Sequence, residues 1–143
     1  MPLTLTLEHA QSIISDCLSW RKDNGLRPLT IAVLDAGGCL LALAREDGTS
    51  ALRPEIAQGK ARGAVLMGLG SRALYERAKV EPFFIQAMNA LSNGSLVPVA
   101  GGVLIKHDGV ILGAVGITGD NSDNDEACAI SAIETVGFVA DGG

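Results

Sequence analysis

Aromatic side chains are nearly missing from this sequence. Trp20, Tyr75, Phe83, Phe84 and Phe138 are the whole set, 3% of 143 residues. A core must therefore be built from Ala, Val, Leu, Ile and Gly, and stacking platforms for bases are lacking. Basic clusters are lacking as well, and the formal net charge is −5. These two shortages argue against nucleic-acid binding. No apolar run reaches the ~18 residues that a membrane span needs. The opening MPLTLTLEHAQ has neither the basic start nor the long apolar core of a signal peptide. A cytoplasmic protein with no nucleic-acid and no membrane partner is expected. Cysteine is scarce and odd in number. Cys17, Cys39 and Cys128 lie far apart, which argues against a disulfide framework and a CxxC-type metal site. Each is expected to be a small buried hydrophobe. There is also no Walker loop, no G-x-G-x-x-G fingerprint, no nucleophile elbow and no Ser-His-Asp order.

What remains is an aliphatic, glycine-rich chain suited to one domain spanning 1–143, with 48% apolar and 19% charged residues. Thr6 or Thr4 can cap a first helix, with Glu8 in its first turn. Leu7, Ala10, Ile13, Ile14, Cys17 and Leu18 recur at helical spacing, and Asn24-Gly25 is a natural stop. TIAVLDA and CLLALAR read as two strands around a Gly37-Gly38 turn. Their long apolar runs suggest that both faces of this hairpin are covered. A second helix is expected from Thr49 or Ser50 to about Gly68, with Pro54 early and small residues at its far end. Ser71 can cap a short helix, and Pro82 can open another that ends near Ser92. A strand is expected around Leu96 to Ala100.

Six glycines crowd the stretch from Gly101 to Gly119. Glycine costs conformational entropy in a strand, so close packing or backbone bending is expected there. GGVLIK and VILGAVGI flank the tight turn His107-Asp108-Gly109, giving a second hairpin. A final helix should start near Ser122 or Asp123, where Ser122 with Asp125, or Asp123 with Glu126, resembles a capping box, and Ile130, Ile133, Val136, Gly137 and Ala140 form its apolar stripe. The tail Asp141-Gly142-Gly143 is expected to fray. Both hairpins share one plan: strand, glycine turn, strand, acidic loop, helix. Hairpins between helices imply α+β architecture.

The LTLEHA helix, VLDAGG turn, ALAREDG strand end, IAQGKARGAV helix, PVAGGVLI break, DGVILGAVGITG hairpin and DNDEACA helix start together resemble the GlcG/HbpS family. That family includes HbpS-like haem-binding proteins and the C-terminal domain of PduO-type proteins. The resemblance implies a single antiparallel sheet of about five strands flanked by helices, profilin-like in shape, and homo-oligomers built from dimers. It also implies a small-molecule ligand, haem or a related tetrapyrrole.

The chemistry-bearing residues can then be weighed. His9 lies beside the apolar stripe of the first helix; a neutral imidazole is a good axial ligand, and the resemblance implies that role and hence His9 as the metal ligand. His107 sits at a hairpin tip, where exposure is expected. Lys60 lies on a small, apolar helix face. It should either pair with Asp35, Asp47 or Asp125 or point into a ligand site. If that site takes a carboxylate or propionate, Arg45 and Lys60 are the natural clamps. The alternative is a cofactor-independent isomerase, lyase or hydratase acting on a carboxylate-bearing metabolite, with backbone donors at Gly101-Gly102. The loop Asp120–Glu126 fails the EF-hand spacing, and helix capping accounts for its acids.

Overall fold

The structure is a computed structural model that describes residues 3–143. Helix α1 spans Leu7–Asp23 and buries Ala10, Ile13 and Cys17. Strands β1 (Thr30–Asp35) and β2 (Leu40–Arg45) form the first hairpin. Helices α2 (Arg53–Met67), α3 (Ser71–Val80) and α4 (Pro82–Leu91) follow. Strands β3 (Gly102–His107) and β4 (Val110–Thr118) make the second hairpin, and α5 (Ser122–Thr135) leads to β5 (Val139–Asp141). One five-stranded antiparallel sheet results, in the order β2-β1-β4-β3-β5. This is the α+β arrangement that the hairpins and helices imply.

Strand periodicity divides the core. Ile31, Val33, Val103, Ile105, Val115 and Ile117 share one face with Ile13 of α1 and with Cys128, Ala132 and Ile133 of α5. Leu34, Leu104 and Ala114 share the opposite face with Ala61 and Ala64 of α2. The register places Ala32 beside Gly116, and Gly116 beside Gly102. That small-residue row is the trough in which α2 lies. A Cβ on Gly116 would overlap the carbonyl oxygen of Ala57, and one on Gly102 would overlap that of Lys60. At Gly102 and Gly116 glycine is therefore a packing requirement of α2, whereas Gly113 is pressed by the Leu34 carbonyl of β1 and Gly119 by the Pro28 carbonyl.

Several expectations need correction. No strand forms over 96–100: Pro98 brings no N–H, and Val97 instead donates to the Gly59 carbonyl. The small residues of α2 make room for this segment, since a Cβ on Gly59 or Gly63 would press on Val97 or Leu96. The second helix starts at Arg53, because Ser50 closes a turn onto the Arg53 N–H first. The tail does not fray. β5 pairs with β3, Lys106 binds Asp141 at 2.6 Å, and Arg72 N–H donates to the Gly142 carbonyl. Strand β2 is only half-covered, with Leu40 48% exposed. Cys39 is exposed, whereas Cys17 and Cys128 are buried as free thiols, with the Cys128 Sγ 3.5 Å from the Cys17 carbonyl.

Candidate functional site

The first turn of α1 positions His9. Thr6 is in extended conformation, and its hydroxyl accepts the His9 N–H at 3.1 Å. The His9 ring returns the bond: Nδ1 accepts the Thr6 N–H, also at 3.1 Å. This is a capping box in which an imidazole takes the place usually held by Glu or Gln. The ring is half-buried and stands edge-on to Phe138, with centroids 5.1 Å apart. His107 meets the same phenyl ring at 6.3 Å and lies 3.3 Å from its neighbour Asp108. Both histidines of the chain thus converge on Phe138, the residue that links α5 to β5. Phe138 carries no local signal in the sequence, because its ring partners come from two distant segments.

Lys60 projects from α2 into the interior and is 3% exposed. Its Nζ donates to the Ile117 carbonyl at 2.9 Å and meets Asp125 Oδ2 at 3.3 Å. Asp125 is 1% exposed, and its Oδ1 accepts the Asp120 N–H. Burial pushes the Lys60 ammonium below its usual range and the Asp125 carboxyl above its own; mutual attraction opposes both shifts. Of the routes open to Lys60, the structure joins it to Asp125, tying α2 to β4 and α5. Arg45 is placed elsewhere. Exposed at the end of β2, it donates to the Thr49 carbonyl at 3.1 Å and borders an open cleft of about 400 Å³ with Arg21, Lys22 and Glu46. Arg45 and Lys60 do not form a joint clamp.

Gly101 has φ +121°, and a Cβ there would lie 2.7 Å from the Ile117 carbonyl oxygen and 2.9 Å from Lys60 Nζ. The Gly102 N–H is already taken, donating to Ser71 Oγ at 2.6 Å. Ser71 therefore does not cap its own helix, whose N-cap is Gly70. Its buried hydroxyl anchors the Gly-Gly break, and Gly102 is not a free donor for a substrate oxyanion.

The acidic loop is consumed by structure. Asn121 caps α5 by accepting the Asn124 N–H at 2.8 Å, in place of the capping boxes expected from Ser122 or Asp123. Asp120 accepts from the Arg27 and Asn121 N–H groups and from the Asn124 side chain, which holds its carboxyl down at about 2. Arg72 binds both Asp123 and Glu126. Among the described residues, no group of three or more His, Cys, Asp or Glu is placed to hold a metal ion. Among the described residues, no helix is long and apolar enough to cross a membrane.

Known proteins share this architecture. The solved structure of a PduOC–haem complex superposes with a TM-score of 0.84 at 21% identity, covering 95% of this chain and 97% of that one. HbpS superposes with a TM-score of 0.82 at 25% identity, covering 96% and 93%. Protein GlcG of Escherichia coli K12 is 38% identical over 91 residues, 63% of this chain and 63% of GlcG, so the match spans less than two thirds of that relative. The family described as haem degrading protein HbpS-like matches residues 5–134. The chain belongs to the HbpS-like family.

Proposed function

We propose that this protein binds a small ligand, haem or a related tetrapyrrole, with His9 as the axial ligand. The observation that carries this reading is the His9 ring itself: half-exposed, braced by Phe138 and held in one orientation by its cap. The same cap sets its tautomer. Nδ1 accepts the Thr6 N–H, so the neutral ring carries its hydrogen on Nε2. To hold iron, Nε2 would need the hydrogen moved to Nδ1, and the Thr6 N–H would then lose its acceptor. The residues fit the group at the cost of one capping bond, about 1 kcal/mol. Haem, when bound, would supply the iron chemistry; the chain supplies the imidazole and the apolar Phe138 surface. One copy leaves this pole open to solvent. A second copy of the chain is the natural cover, which accords with homo-oligomers built from dimers.

Adding haemin and recording the Soret band tests the reading directly. The wild-type band should shift and saturate at one haem per chain, and His9→Ala should abolish the shift. In the free protein, nitrogen NMR should show the His9 hydrogen on Nε2. A wild-type spectrum indistinguishable from free haemin, or a full shift in His9→Ala, would reject His9 as the ligand.

A further inference from the structure

The end of the sheet opposite the hairpin tips holds a second feature. Half-buried Arg53, the first residue of α2, donates through Nη1 to Thr118 Oγ1 at 2.6 Å and through Nε to Ser50 Oγ at 3.2 Å. Both partners are neutral hydroxyls. The other half-buried cations, Arg21, Arg72, Arg77 and Lys106, each have a carboxylate within 4 Å. Arg53 has none among the described residues, although acids outnumber cations by 16 to 11 in this chain. Its charge is fixed in place and uncompensated, and a partly desolvated guanidinium without an anion is costly.

Arg53 opens onto a cleft of about 250 Å³ lined by Arg27, Thr49, Ser50 and the backbone of Gly48 and Gly119. No lining residue is an acid. Arg27, at the rim, has Asp120 3.6 Å from its Nε, and that carboxylate also accepts three shorter hydrogen bonds. The Ser50 hydroxyl accepts from Arg53 and keeps its own proton to donate. Volume excludes a macrocycle: the cleft falls below the ~300 Å³ at which pockets begin to hold drug-sized ligands. The cleft is also far from His9. That residue sits in the first turn of α1, a helix of 17 residues, about 25 Å long at 1.5 Å per residue, and Arg27 follows its other end.

We propose that this cleft binds the oxyanion of a small metabolite, a carboxylate or phosphate group, gripped by Arg53 and Arg27 with Ser50 as hydroxyl donor. The free Nη2 of Arg53 and the Ser50 O–H supply directed hydrogen bonds, and Arg27 supplies the second charge at the rim. The site is independent of haem and of His9.

Backbone NMR titration with inorganic phosphate, and separately with succinate, tests it on the intact chain. Saturable shifts confined to Gly48, Thr49, Ser50 and Gly119 are expected; the tighter of the two probes names the group. Arg53→Gln should weaken binding by tenfold or more. Ser50→Ala, which leaves the Thr118 contact intact, should weaken it several-fold and guards against a folding defect in the first variant. Haemin binding should be unchanged in both. No saturable shift with either probe, or equal affinity in Arg53→Gln, would overturn the proposal.

Discussion

On β4, Gly116 and Ile117 are neighbours that point to opposite faces of the sheet and meet different packing. Ile117 enters an interior of branched side chains from β1, β3, α1 and α5. Gly116 faces the backbone of α2 with no side chain between them. One face is filled by side-chain volume. The other is filled by bringing a helix backbone against the strands, which few residues other than glycine and alanine allow. Aliphatic interiors yield to small volume changes at modest cost, whereas a backbone-to-backbone contact has nothing that can rotate away.

The largest expected effect follows directly. Gly116→Ala should destabilise the protein by about 4 kcal/mol or more, because the new methyl collides with the Ala57 carbonyl and α2 must lift. Ile117→Val, one residue away, should cost only about 1 kcal/mol. Denaturant midpoints of the two variants measure the contrast. Equal losses would show that the α2 face is as adaptable as the other, and the distinction would fail.

A somewhat smaller effect probes how the faces are joined. Lys60 belongs to α2 and Asp125 to α5, so this buried pair bridges the two layers past the end of the central strand β4. Lys60→Met leaves the Asp125 carboxylate buried without its cation, and a loss of about 3 kcal/mol is expected. Adding Asp125→Asn should restore most of it, since the amide oxygen can still accept the Asp120 N–H. If the double variant is no better than the single one, the pair contributes packing and not charge compensation.

The contrast between faces also explains what could be read from the sequence. The hairpins, the first helix and the last helix are local: alternation, glycine turns and helical spacing marked them within a few residues. The family resemblance supplied the strand number. What escaped was non-local. The glycine cluster was legible as a demand for close approach, but whether α2 or a ligand made that approach depends on the register of β3 on β4. Lys60 was legible as an odd ammonium with Asp125 among its possible partners; Arg53 was not, because its isolation shows only once every other half-buried cation is seen to be paired. The capping boxes at Ser122 and Asp123 outweigh Asn121 in the sequence, although the cap lies one residue earlier. Helical spacing carries the last helix too far: Val136, Gly137 and Ala140 continue its apolar stripe, but α5 ends at Thr135 and Ala140 lies in β5, whose three residues carry too little pattern to announce a strand.

The smallest expected effect concerns Asp120, where the layers meet at the acidic loop. Its carboxylate ties the linker after α1 to the start of α5 through Arg27, Asn121 and Asn124, and its own N–H binds Asp125, the partner of Lys60. These donors favour the charged form and depress its pKa from 3.8 to about 2. A depressed carboxylate stabilises the fold fully above its unfolded pKa and loses that contribution as pH falls through the folded value. Asp120→Asn should therefore cost about 1 kcal/mol at neutral pH, and the gap to wild type should close between about pH 4 and pH 2. Urea midpoints across that range check the sign. Parallel curves for the two proteins would mean that the hydrogen bonds, and not the charge, hold this junction, and that the two faces are stitched together by Lys60 and Asp125 alone.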